Sequence, residues 1–245
     1  MNKGVLEASE EGTPQGGPLS PLLSNIMLNE LDKELTSRGL PFVRYADDSM
    51  IFCKSKRAAK RVKASVPRFI EGKLHLKVNR DKTVVSYVKG VKYLGYSFYV
   101  MKGKCQLTVH PKAKAKMKAK LKELTSRSNG WGYAKRKQKL EEYIRGWVGY
   151  YHLANMKRFL IKTDEWLRRR LRMCIWKSWK RVKTRITNLI KCGIDKYQAY
   201  MWGNSRLGYW RIAGSYILSR AITNEKLNMA GYATLMGSYI EWHPK

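Results

Sequence analysis

The chain has 245 residues, of which 50 are lysine or arginine and 18 are acidic, so its formal net charge is +32. A hydrophobic fraction of 44% is that of a folded globular protein and excludes a disordered basic tail, and the length allows one or two domains. The charge predicts a polyanionic partner. Nucleic acid is favoured over an anionic membrane surface, because no run approaches the roughly 18 apolar residues of a membrane-spanning helix.

The cysteines and histidines are too scattered to predict a disulfide framework or a zinc site. The four cysteines form no CxxC pair, and the N-terminal residues contain no apolar run of the kind found in signal peptides. We therefore expect reduced thiols in a bacterial-type cytoplasm, with the protein associated with the nucleoid or with a ribonucleoprotein.

The first predicted element is a helix. Ser20 is expected to cap it, Pro21 suits its first position, and Gly39 is expected to end it in a left-handed conformation. Apolar residues recur along it at helical spacing. They are Leu22, Ile26, Leu31 and Leu35.

Next, "FVRYADDSMIFC" predicts two β-strands with two acidic residues at the turn between them. Asp47 and Asp48 repel each other and are costly to desolvate in an apolar stretch unless a cation lies between them. Such a turn suits Mg²⁺, a hard cation that takes carboxylate and phosphate oxygens. The alternative is an exposed Asp-Asp turn without a ligand, which is the commoner meaning of so short a motif taken alone.

Beyond this turn, a second helix is expected after Ser55, running to about Ile70 with Pro67 inside it. Two strand-like runs follow, "HLKVNRDKTVVSYV" and "VKYLGYSFYV", and then a turn at "MKGKC" and a third run, "QLTV". We place a domain boundary at His110-Pro111, since proline suits the first turn of a new helix.

The remainder is helical, basic and rich in aromatic residues. "PKAKAKMKAKLKEL" predicts a lysine-rich helix with a thin apolar stripe, and a further helix is expected through Leu140 and Tyr151. "DEWLRRRLRMCIWKSWKRVKTRI" places leucines and isoleucines on one helical face and basic residues largely on the other, and short helices punctuated by glycine complete the chain.

Four segments together resemble the palm motifs of reverse transcriptases of the group II intron-encoded reverse transcriptase/maturase family. They are "GTPQGGPLSPLLSN", "YADD", "LHLKVNRDKTVV" and "VKYLGYSF", in that order. "IRGWVGYYHLA" and "DEWLRRRLRMCIWKSWK" resemble the helical thumb, or maturase domain X, of that family. The resemblance implies an α+β fold. A partial palm of antiparallel strands and packed helices would occupy 1–109, and an all-helical, basic thumb/maturase domain that binds RNA would occupy 110–245.

The same resemblance implies an RNA-directed DNA polymerase and intron maturase that uses deoxynucleoside triphosphates and two Mg²⁺ ions. Asp47 and Asp48 would be the catalytic metal ligands, and Lys82 would lie near the triphosphate. The residues near nucleotide or template–primer would be Gln15, Gly16, Gly17, Pro18, Tyr45, Ala46 and Lys82, and the primer grip would be Tyr93, Leu94 and Gly95. The residues contacting RNA would be Arg168, Arg169, Arg172, Lys180 and Arg181.

The chain departs from the family pattern at its start. A third catalytic carboxylate comes in the family from a strand before "PQGG", whereas the acids that precede Gly12 here, at positions 7, 10 and 11, lie in no strand-like run. We therefore expect an incomplete two-metal site. We also expect a truncated copy that is inactive alone, and possible pairing with a second copy or with a separate N-terminal half. The expected partners are group II intron RNA, an RNA template and a DNA primer, with no membrane.

Two other functions stay open. A non-catalytic splicing factor could clamp intron RNA through the basic domain, and a diversity-generating or retron-type reverse transcriptase would share the palm motifs. One or two aromatic residues are expected to stack on unpaired bases. The candidates are Trp131, Tyr133, Trp176, Trp179, Tyr209 and Trp210.

Overall fold

The computed structural model describes residues 17–244, and the chain divides into two compact units, 1–87 and 88–245. The protein is a mixture of many helices and two small antiparallel sheets, in agreement with the expected α+β class. The sheet that contains "YLGY" belongs to the second compact unit, although its sequence was assigned to the palm. The functional boundary at residue 110 stays a prediction.

The first unit combines two helices with a β-hairpin. In chain order its elements are α1 (Ser20–Ser37), β1 (Phe42–Tyr45), β2 (Asp48–Ile51) and α2 (Lys56–Lys73). The strands pair antiparallel, from Phe42 opposite Ile51 to Tyr45 opposite Asp48, which confirms the predicted hairpin. Its small core is centred on α1, and the hairpin and α2 pack against it. The buried members are Leu28, Leu31, Leu35 and Leu74.

Helix α1 ends as predicted but begins differently. Gly39 has φ +62°, and two backbone bonds close the helix, from Gly39 N to Thr36 O (2.9 Å) and from Leu40 N to Leu35 O (3.0 Å). At the other end the cap position is Leu19, so Ser20 lies inside the first turn and the predicted serine cap is wrong by one residue.

The segment after α2 corrects a strand prediction. Helix α2 starts as expected, with Ser55 Oγ accepting from Ala58 N at 3.1 Å, but the following run "HLKVNRDKTVVSYV" contains no strand. Asn79 instead makes a local turn, in which its Oδ1 accepts from Lys82 N (3.1 Å) and its carbonyl accepts from Thr83 Oγ1 (2.8 Å). The local bonds of an asparagine replace a strand ladder here, because no other strand within residues 17–244 pairs with the run.

The second unit begins with a short 3₁₀ turn (Val88–Gly90) and a three-stranded antiparallel sheet in the order β3-β4-β5. The strands are β3 (Lys92–Tyr93), β4 (Tyr96–Met101) and β5 (Lys104–Val109). Both connections are two-residue turns with positive φ throughout, Leu94-Gly95 and Lys102-Gly103. This is the backbone that gives tight hairpins the right twist, and it divides the predicted run "VKYLGYSFYV" into two strands.

Nine helices follow within the described chain. They are α3 (Pro111–Leu124), α4 (Tyr133–Tyr151), α5 (Lys157–Ser178), α6 (Val182–Lys191), α7 (Lys196–Gly203), α8 (Tyr209–Ala213), α9 (Tyr216–Ala221), α10 (Asn224–Met229) and α11 (Leu235–Glu241). Pro111 begins α3, as predicted, and the stripe of Met117, Leu121 and Leu124 is buried. Among residues 17–244 no helix is both long and apolar enough to traverse a lipid bilayer.

The basic run 164–186 is two helices rather than one continuous helix. Helix α5 ends at Ser178, and Trp179 leaves helical backbone with ψ 67° while its ring packs against Trp176, with the ring centroids 5.8 Å apart. Both rings belong to the large hydrophobic core of this unit. Burial of the second tryptophan therefore accompanies a change of chain direction that the periodicity of the sequence did not reveal.

Candidate active-site hairpin and nucleic-acid surface

The "YADD" motif forms the tip of the β1–β2 hairpin. Tyr45 pairs with Asp48, which leaves Ala46 and Asp47 as the two turn residues. Ala46 has φ +52°, a conformation that costs a non-glycine residue about 1–2 kcal/mol. A positive φ at the first turn residue is what a two-residue hairpin requires, and Leu94 and Lys102 adopt it in the other two hairpins.

Arg44 supplies contacts that hold the turn. Its guanidinium binds both carboxylate oxygens of Asp32 on α1, with Nε–Oδ1 at 2.8 Å and Nη2–Oδ2 at 2.6 Å. The remaining nitrogen donates to Asn25 Oδ1 at 2.9 Å and to the carbonyl oxygen of Ala46 at 3.0 Å. One half-buried arginine therefore ties the strained residue of the turn to the adjacent helix.

The sequence analysis did not identify Arg44 as a site residue. Strand alternation held a usable signal, because Arg44 shares its face with Phe42, which packs on the core. A charged residue on an inward face requires a partner, and α1 contains several acidic residues. Which of them pairs with it depends on the packing of the helix on the hairpin.

Asp47 and Asp48 are exposed at the hairpin tip. Within residues 17–244 neither carboxylate has an ion pair or a side-chain hydrogen bond, and no group of three metal-ligating side chains occurs. The donor chemistry suits Mg²⁺, but the described residues supply only part of a coordination shell. The two aspartates therefore fit a magnesium site as two of its ligands.

The other residues predicted to lie near the nucleotide belong to several different segments of the first unit. Gln15 and Gly16 lie outside the described residues, whereas Gly17 and Pro18 lead into α1, with Ser20 N donating to Gly17 O at 3.2 Å. Tyr45 and Ala46 belong to the hairpin, and Lys82 is exposed in the turn at Asn79.

The predicted primer grip is a tight turn packed against α4. Tyr96 Oη donates to the carbonyl oxygen of Tyr150 at 2.5 Å, and Tyr150 Oη donates to that of Leu94 at 3.0 Å. Gly95 lies against the Tyr151 hydroxyl, where a Cβ atom would collide. Burial, reinforced by the neighbouring tyrosines, raises the pKa of Tyr96. The turn is thus held by α4 on both sides, and Tyr93 leads into it from β3.

Arg168, expected to contact RNA, lies inside the second unit. It is only 4% exposed, and its guanidinium donates to Asn228 Oδ1 and to the carbonyl oxygen of Tyr232. Burial lowers the pKa of this arginine. A side chain in this position cannot reach a phosphate without disrupting the core, so we remove Arg168 from the RNA-contacting set.

Three further arginines of α5 also form hydrogen bonds with other segments of the second unit. Each donates to a backbone carbonyl, and two of these carbonyls belong to the C-terminal caps of α3 and α9, where the helix dipole favours a cation. The bonds run from Arg169 to Trp210 O (2.8 Å), from Arg170 to Thr125 O (2.9 Å), and from Arg172 to Ile222 O (2.7 Å).

The exposed positive charge lies elsewhere. Lys180 and Arg181 are exposed between α5 and α6, as expected for residues that bind RNA. Helix α3 carries a larger set that the sequence analysis described as lysine-rich but did not select as a site. Its lysines are Lys112, Lys114, Lys116, Lys118, Lys120 and Lys122, and of these Lys114 alone is half-buried.

The aromatic candidates for base stacking separate by burial. Trp176 and Trp179 are core residues, with 1% and 8% exposure, while Trp131 and Tyr209 are half-buried against the core. Tyr133 and Trp210 are exposed. Two of the six candidates are therefore accessible to a nucleic acid, and stacking of one or two of them on bases stays a prediction.

Comparison with known families and proteins matches this architecture. A family described as "Reverse transcriptase (RNA-dependent DNA polymerase)" matches residues 2–98, and "Group II intron, maturase-specific domain" matches residues 114–193. The two matches together cover most of the chain and assign it to the reverse transcriptase class. The chain belongs to the group II intron reverse transcriptase/maturase family.

Individual relatives support the same family. "Protein YkfC" of Escherichia coli (strain K12) is 33% identical over a match covering 39% of this chain and 34% of its own length. "Group II intron-encoded protein LtrA" of Lactococcus lactis subsp. cremoris is 28% identical, with 36% of this chain and 26% of its own length covered. The chain thus spans about a third or less of the curated relatives that it matches.

Proposed function

We propose that this chain is the part of a group II intron reverse transcriptase/maturase that contributes two metal-binding carboxylates and an RNA-binding helical unit. The observation that carries the proposal is the "YADD" turn, which Arg44 holds through Ala46 and in which Asp47 and Asp48 are exposed and have no side-chain partner among residues 17–244. The positive φ of Ala46 is what a tight hairpin turn requires, whereas two adjacent acids without a partner repel each other and do nothing to reverse the chain.

In this proposal the oxygens of Asp47 and Asp48 would hold Mg²⁺, which would supply activation of a primer 3′-hydroxyl and stabilisation of the charge on pyrophosphate. Lys82 lies near the triphosphate, where a cation stabilises charge that develops on the leaving group. The residues that lie around the nucleotide or the template–primer in this proposal are Gln15, Gly16, Gly17, Pro18, Tyr45 and Ala46. The turn of Tyr93, Leu94 and Gly95 supports the primer end.

The chain by itself is proposed not to polymerise DNA. Two carboxylates hold Mg²⁺ more weakly than three and leave the second metal without a bridging anchor, and no third ligand stands beside them in residues 17–244. Activity would then require another polypeptide, or a segment outside the described residues, to supply the missing oxygen ligand.

Polymerisation can be tested with the full chain on primed poly(rA)·oligo(dT) with dTTP and Mg²⁺. We expect no dTMP incorporation by the chain alone. We expect incorporation after addition of an N-terminal reverse transcriptase segment that carries the absent carboxylate. The Asp47→Asn/Asp48→Asn variant should abolish the restored activity. Robust incorporation by the unsupplemented chain would refute the incomplete site, and restored activity that survives the double substitution would refute the roles of the aspartates.

A second candidate function is a non-catalytic maturase that binds intron RNA. The exposed lysines of α3 favour it, since lysines neutralise phosphates without reading sequence. The same Asp47→Asn/Asp48→Asn protein separates the two functions. If the chain acts only as a splicing factor, RNA affinity and intron splicing are unchanged by the substitution, and no complementing segment produces polymerase activity.

A further inference from the structure

A cleft of about 460 Å³ opens on the second unit, alongside helices α3 and α5, and is distinct from the hairpin of Asp47 and Asp48. Its walls are cationic and aromatic, and two small side chains of α3 leave space between them. The lining residues are Ala115, Lys118, Ala119, Lys122, Trp166, Arg170 and Trp210.

Trp210 is held in an exposed position at this cleft. The Arg169 guanidinium stacks on its ring at 4.1 Å from the centroid, and the same group donates twice to the carbonyl oxygen of Trp210, at 2.8 and 3.2 Å. Gly214 leaves the space that this guanidinium occupies, since a Cβ atom there would collide with it. Trp210 as a whole residue nevertheless remains 40% exposed, so the contacts with Arg169 fix its position without burying it.

Trp166 forms the second aromatic wall and is flanked by two cations. Lys118 Nζ lies 5.3 Å from its ring centroid, and the Arg170 guanidinium lies 5.2 Å from it. Arg170 is itself anchored to α3 by a bond to the carbonyl oxygen of Lys122 at 2.9 Å. The guanidinium therefore has a fixed position at the edge of the cleft.

Among the residues that the structure describes, no carboxylate neutralises the lysines that line the cleft. Within residues 17–244 the ion pair on α3 joins Lys120 to Glu123, and neither Lys118 nor Lys122 has a carboxylate partner. A ligand that suits this cleft therefore combines a flat aromatic group with negative charge. An unpaired nucleotide has both, and base–aromatic stacking beside a cationic track is how proteins hold single strands.

We propose that this cleft binds an unpaired nucleotide of RNA, with the base stacked on Trp210 and the adjoining phosphates beside Lys118 and Lys122. The proposal rests on RNA binding by the second unit and adds to it a defined single-strand subsite. A duplex, whose bases are stacked on one another, cannot use the aromatic wall and gains only from the charges.

The test measures binding of the full chain to a fluorescein-labelled, unstructured 12-nucleotide RNA and to a 12-base-pair RNA duplex by anisotropy. Trp210→Ala should weaken single-strand binding by about tenfold and leave duplex binding within about twofold, because stacking on one aromatic residue is lost. Trp210→Phe should recover most of the loss. The matched control is Trp242→Ala, which removes a tryptophan that is 52% exposed and stacked on His152, outside the cleft.

The salt dependence separates stacking from charge. Trp210→Ala should leave the slope of log affinity against log salt unchanged. Lys118→Ala/Lys122→Ala should reduce its magnitude by about 1.4, since each single-strand phosphate contact contributes about 0.7. Circular dichroism verifies that each variant is folded. Crosslinking of 4-thiouridine RNA to the unmodified protein should label the peptide containing Trp210 or Trp166.

Several results would overturn the subsite. Wild-type single-strand affinity in a folded Trp210→Ala variant, or crosslinks confined to other helices, would refute it while RNA binding by the second unit stands. Failure of the wild-type chain to bind either RNA would refute RNA binding itself. The same titration is made with a single-stranded DNA of the same sequence. If Trp210→Ala weakens binding of this DNA but not of the RNA, the assignment to RNA is refuted and the cleft is a site for a single DNA strand.

Discussion

Helices α3 and α5 are both strongly basic, yet they use their charges in opposite ways. Four arginines of α5 donate to carbonyl oxygens of neighbouring segments, namely Arg168, Arg169, Arg170 and Arg172, whereas most lysines of α3 are exposed. The chemistry of the two side chains explains the difference. A planar guanidinium with five donors can satisfy several carbonyls at once, while an ammonium is strongly hydrated and favours water or phosphate. A count of positive charges therefore overstates the surface available to RNA.

Arg168 offers the strongest test of this comparison. Arg168→Glu should lower the free energy of unfolding by about 3–5 kcal/mol, because it leaves buried carbonyl and amide oxygens unpaired and places a carboxylate near Asp164. Urea titration followed by circular dichroism measures the change. Lys116→Glu, which changes the charge equally on exposed α3, should alter stability by less than about 0.5 kcal/mol. Equal effects of the two substitutions would contradict the internal role of Arg168.

Arg168, Arg169 and Arg172 were all expected from the sequence to contact RNA. Reversal of charge at the three together would report mainly on stability, since all three guanidinium groups donate to backbone carbonyls. The sharper test of RNA contact lies in the exposed lysines.

The second prediction concerns Arg44, an internal arginine of the first unit. Arg44→Lys should speed amide hydrogen exchange in the β1–β2 hairpin by about tenfold to a hundredfold, because lysine cannot reproduce the paired bonds to Asp32 and the bond to Ala46 O. The control is Arg38→Lys, which affects an exposed i,i+4 pair with Glu34 and should leave exchange in the hairpin unchanged. Equal protection in both variants would show that Arg44 does not hold the turn.

Two glycines in β-turns show the same difference between a position packed against the protein and one that faces solvent. Gly95 and Gly103 have similar φ values, +81° and +74°, but Gly95 lies against Tyr151 whereas Gly103 faces open space. Gly103→Ala should cost about 1 kcal/mol through backbone conformation alone. Gly95→Ala should cost about 2 kcal/mol because it also displaces the tyrosine. Thermal unfolding measures both, and equal costs would mean that the contact with α4 contributes nothing.

The smallest effect on stability is expected for the exposed lysines. Lys112→Ala/Lys116→Ala should change the free energy of unfolding by less than about 0.5 kcal/mol, yet reduce the magnitude of the duplex-RNA salt slope by about 1.8 if both residues contact phosphates. Anisotropy titrations between 50 and 200 mM salt measure the slope. An unchanged slope would remove this face of α3 from the RNA-binding surface.

Local features were predicted well where the residues themselves imposed the structure. Gly39 ends α1, Ser55 caps α2, Pro111 begins α3, and the acidic turn lies between two strands, as expected. Predictions failed where a partner was needed. In the described part of the chain no strand pairs with the run after α2, and the helix of the basic run 164–186 ends where Trp179 packs into the core.

The candidate site followed the same division. The identity of the turn residues and the family resemblance came from short motifs, because the chemistry of metal binding requires particular residue types at fixed spacing. No short motif revealed the role of Arg44, the burial of Arg168 or the exposure of Trp210. Each of these depends on contacts with residues 12 to 64 positions away in the chain.

By itself the amino-acid sequence determined the order of the palm motifs, the tip of the hairpin and the helical character of the basic half, and it predicted a polyanionic partner. These follow from composition, turn chemistry and periodicity, which act over a few residues. The tertiary structure alone decided which cations are internal and which are free, because burial and hydrogen-bond partners arise only when distant helices pack together.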